Sequence, residues 1–180
     1  TNGYTLQRWV NACAGRGAYP IKFNGSLFNV ETLTNPVQSY NGLCQFDADF
    51  REWGNSYWAQ NTRLPYWTMP AAGDFDLMKP LFKMYMDALP LRKHLTRLAF
   101  NHDGAFYPET MEFWGGSPDS DFGRPGDESR KDLPPGQTRH DYMQYYPQGA
   151  LEMLNAMNCY FEYTGDTAFR DSTLLPFGKE

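Results

Sequence analysis

Glu109 and Glu112 lie in the run Gly104-Ala-Phe-Tyr-Pro-Glu-Thr-Met-Glu-Phe-Trp-Gly115, among Phe106, Tyr107, Phe113 and Trp114. A carboxyl group in apolar surroundings has its charged form disfavoured, so it holds a proton closer to neutral pH, as a general acid must. The neighbouring aromatic faces suit the apolar face of a sugar ring. The competing reading is a surface loop whose rings fill a local core while its acids face water. Glycosidases use two carboxyl groups, roughly 5–5.5 Å apart when retaining and roughly 6.5–9.5 Å apart when inverting. Spacing within a loop sets no such distance, so Glu112 is a second candidate acid or a solvated one.

Polar groups set among rings recur in Trp53-Gly-Asn-Ser-Tyr-Trp-Ala-Gln-Asn-Thr-Arg-Leu-Pro-Tyr-Trp67. Trp58 and Trp67 are candidate sugar platforms there, with Trp114 from the first run. Asn61 and Arg63 are candidate hydroxyl-binding groups, as are Lys22 and Asn24 earlier in the chain. In a helix Tyr57 and Asn61 would share one face; the alternative is an amphipathic helix with rings inward and amides outward. His102 precedes the acid-bearing run and is a candidate lining residue, whereas His94, beside Arg92, Lys93 and Arg97, reads as part of a solvated basic face. No HxxxH, HExxH or CxxC spacing occurs, and Asp119, Asp121, Asp127 and Glu128 do not follow the EF-hand pattern, so no metal is expected. Neither a glycine-rich phosphate loop nor a GxSxG elbow is present, and no cofactor is implied.

The elements that must carry these residues read as mainly helical. Leu6, Val10 and Cys13 fall at helical spacing in 4–14, with Gly15 as a stop. Alternating apolar residues around Asn24-Gly25 predict a β-hairpin over 21–30, and 32–53, without a clear period, predicts a long loop. Ser56 is the expected cap of a helix over 57–72 that Pro65 kinks and Gly73 ends. Asp74 or Asp76 is expected to cap a second long helix, bent or divided at Pro90. Residues 104–141 read as loop. A helix over 146–163 carries a Leu151, Leu154, Met157 and Phe161 stripe, and Asp166 caps a short helix from 167 to 174.

Composition narrows the function classes. The 180 residues suffice for one domain with a core, and the net charge of −5 without a Lys/Arg run argues against nucleic acid and anionic membrane surfaces. No apolar run is long enough to span a membrane. Cys13, Cys44 and Cys159 leave room for one disulfide, but their odd count argues against a disulfide framework and they are expected as buried free thiols. Thr1 opens almost directly into a helical pattern and the chain stops soon after Leu174-Leu175-Pro176, so a fragment of a longer protein is expected.

Three segments carry a resemblance: Arg16-Gly-Ala-Tyr-Pro-Ile-Lys-Phe-Asn-Gly-Ser-Leu-Phe28, Tyr57-Trp-Ala-Gln-Asn-Thr-Arg-Leu-Pro-Tyr-Trp67 and Gly73-Asp-Phe-Asp-Leu-Met-Lys-Pro-Leu-Phe82. The chain resembles bacterial proteins related to the α-L-fucosidases of glycoside hydrolase family 95. That resemblance implies a catalytic domain of six helical hairpins closed into an α/α toroid, of which residues 1–180 would be roughly the first half. The fucosidases carry an Asn-x-Asn-Thr-x-x-x-Tyr-Trp stretch whose asparagines position the attacking water. Asn61-Thr62 and Tyr66-Trp67 match its later part, and Ala59 stands where the first asparagine would be. Phosphorylases of the related family 65 carry their acid in Gly-Ala-Arg-Phe-Pro-Trp-Glu, similar to Gly104-Ala-Phe-Tyr-Pro-Glu109 but one residue longer. The resemblance therefore implies Glu109 as the acid, a carbohydrate substrate, and a catalytic base beyond residue 180. The parent is expected to be secreted or periplasmic. A non-catalytic carbohydrate-binding or structural module and a phosphorylase are the alternatives.

Overall fold

The computed structural model describes residues 2–21, 37–39, 42–44, 56–117, 132–133 and 146–180, with backbone alone at 37–39 and 42–44. The described chain is mainly helical. Helix α1 is Asn2–Ala14, followed by the antiparallel strands β1 (Val37–Ser39) and β2 (Gly42–Cys44). Strand β3 (Tyr57–Trp58) leads into α2 (Ala59–Tyr66) and α3 (Met69–Ala72). The long helix α4 is Phe75–Phe100, and β4 (Thr110–Met111) pairs antiparallel with β3. Helix α5 is Gln148–Thr164. The end comprises α6 (Thr167–Phe169), a π-helical turn (Arg170–Leu174) and α7 (Leu175–Gly178).

Helix α4 supplies the centre of the core. Leu77, Met78, Leu81, Phe82, Met84, Tyr85 and Ala88 recur every three or four residues and are all buried. Met153, Met157 and Tyr160 of α5 join the same cluster, as do Tyr66, Met69, Tyr107 and Phe177. Edge-on contacts join Phe82 to Tyr160 (5.6 Å) and Phe75 to Tyr160 (5.9 Å), tying α4 to α5.

Several sequence expectations change here. The helix foreseen over 57–72 is a two-residue strand and two helices. Pro65 is the penultimate residue of α2, and Trp67–Thr68 form a turn before α3. Ser56 does not cap; its hydroxyl donates to Glu112 Oε1 at 2.9 Å. Tyr57, in a strand, cannot share a helical face with Asn61. Asp74 is the residue before α4, but its carboxylate turns to Arg8, which donates from Nη2 at 2.6 Å and Nε at 2.8 Å. Helix α4 runs unbroken through Pro80 and Pro90. Pro90 is exposed, while Ala88, Arg92 and Thr96 around it are buried, so packing on the inner face outweighs one lost backbone bond. Of the expected α5 stripe, Met157 is buried and Leu154 and Phe161 pack against the core, but Leu151 is 65% exposed, and Met153 and Tyr160 point inward beside them. In α1, Leu6 and Trp9 are exposed and Asn11 is buried. Asp166 does cap the short helix, accepting from the Phe169 N–H at 2.9 Å.

Cys13 is exposed and Cys159 half-buried, both free thiols, so neither is a fully buried one. The ladder β1–β2 falls where a long loop was expected. The hairpin expected over 21–30 lies outside the described residues apart from Ile21, and Lys22 and Asn24 lie outside them as well. The acids of 119–128, the side chain of Cys44, and His140 also lie outside. Among the described residues no helix is long and apolar enough to cross a membrane.

Candidate active site

The β3–β4 ladder brings the two sequence clusters together. Trp58 faces Thr110 and Tyr57 faces Met111 across it. Just beyond the ladder, the Glu109 carbonyl accepts the Ala59 N–H at 2.7 Å, and Glu109 Oε1 accepts the Gln60 N–H at 3.4 Å. These are N–H groups of the first turn of α2, which have no partner within the helix. Trp58, the residue before α2, provides no capping side chain. Glu109 thus caps α2 from a distant part of the sequence.

Glu109 is 1% exposed. Burial pushes its carboxyl above the ordinary glutamate range; bonds from the Thr110 hydroxyl (2.6 Å, to Oε2) and the Gln60 N–H, and the positive charge of Arg63, oppose that shift. Its charge is felt at Arg63, Tyr85 and Tyr146. Glu112 takes another direction. It accepts the Ser56 hydroxyl, its N–H donates to Gly116 O at 2.7 Å, and its carbonyl accepts the Gly115 N–H at 2.9 Å. Among the described residues the two carboxylates therefore share no partner: Glu109 serves α2, and Glu112 closes a tight turn against Ser56.

Beside this cluster a cleft of about 390 Å³ opens between α2 and α5, with Tyr66, Met78, Leu81, Tyr85 and Met153 among its walls. Arg63 and Glu152 pair across it from α2 to α5. The Arg63 guanidinium lies over the Trp67 ring, 5.0 Å from its centroid, while Trp67 is 61% exposed. Glu109 provides no surface to this cleft, and neither does Asn61. Thr62, which does line it, has a buried hydroxyl without a hydrogen-bond partner among the described residues.

The structure thus brings Glu109 within electrostatic reach of Arg63, with Trp58 opposite Thr110 on the adjoining ladder, and separates the rest. The ring of Trp114 lies across Gly116, where an added Cβ would come within 1.9 Å of it. His102 is exposed and lines a different hollow with Phe106, Tyr107, Leu154 and Phe177. Glu152 and Tyr146 are absent from the sequence-derived set. Glu152 had a legible signal: it stands with Gly149, Met153 and Ala156 on one helical stripe that lines the cleft, where it is the one carboxylate among the described residues.

No family model matches the chain, and neither the curated proteins nor the solved structures contain a match to it.

Proposed function

We propose that this chain forms the acid-bearing part of a glycoside hydrolase catalytic domain of the α/α-toroid kind, with a carbohydrate substrate. The carrying observation is Glu109: a carboxyl group that burial pushes above the ordinary glutamate range, within electrostatic reach of Arg63, which itself lines the adjoining cleft. In this reading Glu109 protonates the glycosidic oxygen. Trp67 and Trp58 offer ring faces to the sugar, and Arg63 with Glu152 binds hydroxyls. The base that activates water comes from outside residues 1–180. Because Glu109 is closed off in this structure, access to it must open when substrate engages.

That burial, with the capping of α2, favours a second reading in which Glu109 is structural and the module binds carbohydrate without cleaving it. Glu109→Gln separates the two, since glutamine keeps an acceptor for the Gln60 N–H but cannot protonate a leaving group. Measured in the protein that carries this chain, turnover of natural glycosides should fall about 10²–10⁴-fold with the fold intact. Unchanged turnover would rule out the acid role.

A further inference from the structure

Arg92 has no role in the site described so far, and sequence reasoning placed it on a solvated basic face. It is 5% exposed in α4. Its Nε donates to Phe106 O at 2.7 Å and its Nη1 to Gly115 O at 3.2 Å. Among the described residues it has no carboxylate within ion-pair distance, and burial pushes its pKa down to about 10. An unpaired buried cation is costly, and an apolar side chain of similar volume would cost less there. What an apolar chain lacks is a planar fork of donors able to hold two carbonyls at once.

The two carbonyls bracket Glu109, Phe106 before it and Gly115 after it. Thr96, one turn along α4, reinforces the first anchor: its hydroxyl donates to Arg92 O at 2.7 Å and accepts the Phe106 N–H at 2.8 Å. Tyr107 adds a bond from its hydroxyl to Tyr85 O at 2.7 Å.

We propose that Arg92 is the positioning residue for Glu109, gripping its loop on both sides from α4 and holding that loop closed so that water does not reach the carboxyl. Its effect on turnover rests on the reading of Glu109 as the acid; its effect on the hydration of Glu109 does not. Among the described residues the charged and titratable groups facing Glu109 are Arg63 from α2, Tyr85 from α4 and Tyr146 ahead of α5, with Glu152 of α5 paired to Arg63. None of them is altered by substituting Arg92.

The sign of the effect separates positioning from simple charge. Removing a nearby cation would raise the affinity of a carboxyl for its proton, whereas admitting water to a desolvated one lowers it. A loss of global stability would do neither in the folded molecules. The test follows the Glu109 carboxyl by NMR titration, assigned by its absence in Glu109→Gln, in the full protein and in Arg92→Met and Arg92→Lys. We expect the Glu109 midpoint to move to lower pH in Arg92→Met, and less far in Arg92→Lys, which keeps one donor. The alkaline limb of the pH–rate profile should move with it, and kcat should fall on the order of tenfold with KM little changed. A midpoint that is unmoved or raised in either folded variant overturns the proposal, as does failure of both variants to fold. Full activity in Glu109→Gln would instead refute the acid reading, and the titration would still decide the role of Arg92.

Discussion

The carboxylate of Glu109 accepts the backbone N–H of Gln60 at 3.4 Å, so the candidate acid also holds the start of α2. Two tendencies meet at this atom. The positive end of a helix favours an ionised carboxylate, while removal from water favours a neutral one. Burial is the larger of the two, so the affinity of the acid for its proton is raised in a place that still rewards its oxygen as an acceptor.

Substitutions at Glu109 should therefore separate stability from chemistry. Glu109→Gln retains an acceptor for Gln60 and is expected within about 1 kcal/mol of the parent. Glu109→Ala removes the cap and leaves a void, so a loss of about 1–3 kcal/mol is expected. Urea denaturation midpoints measure both, and an alanine variant as stable as the parent would show that α2 does not need this cap.

The same burial fixes a pH dependence. In the unfolded chain the carboxyl titrates near 4.3, roughly, and in the folded chain at a higher pH. Between those values the folded state binds more protons than the unfolded one. The contribution of Glu109 to stability is then fully present below the unfolded value and declines as pH rises through the folded one. The stability of the parent relative to Glu109→Gln, followed from about pH 4 to 9, should fall with rising pH. A flat difference would mean that the carboxyl is not desolvated.

The long helices were legible because their periodicity and stops are local. Leu77 through Ala88 recur at helical spacing, and Gly73 and Asp166 mark boundaries that the structure keeps. Strand β3 was not legible: two residues too short to show alternation owe their form to pairing with Thr110 and Met111, far along the sequence. The ladder β1–β2 did have a signal in the dipeptide Asn41-Gly42, whose glycine opens β2. In the site, Glu109 could be singled out because its neighbours in sequence are aromatic. Arg92 owes its burial to carbonyls of another segment, and a charge pattern read along one helix assigns such a residue to solvent.

The one outward residue of the expected α5 stripe, Leu151, carries its own test. Met157 is 0% exposed and Leu151 is 65% exposed. Met157→Ala should cost about 2–5 kcal/mol through lost burial and a cavity, and Leu151→Ala should stay within about 0.5 kcal/mol. Equal losses in thermal unfolding would restore the stripe that sequence periodicity suggested.

Arg63 and Glu152 are both partly exposed, at 30% and 37%, so their pairing adds little to stability, under about 1 kcal/mol. Its expected value lies in the cleft. Glu152→Gln should leave the unfolding midpoint nearly unchanged and, on the proposed glycoside hydrolase reading, weaken sugar binding on the order of tenfold, seen as a rise in KM with kcat held. A stability loss without any change in KM would reassign the pair to holding α2 against α5.

Gly115 offers the sharpest test of how the acid-bearing loop sits on α4. Its φ of +93° is a conformation that side chains rarely adopt, and an added Cβ would fall 2.6 Å from Ala88 Cβ. Gly115→Ala should therefore combine about 1–2 kcal/mol of backbone strain with a clash that the helix cannot relieve by rotating a side chain. Ala88→Gly removes the opposing methyl at a cost of about 1 kcal/mol in the helix. The double variant should then be more stable than the sum of the two single losses, because only the clash is relieved and the strain remains. Urea denaturation of all four proteins yields the coupling directly. Simple additivity would mean that the loop does not rest on Ala88, and that Arg92 grips Gly115 O across a looser contact than the one described.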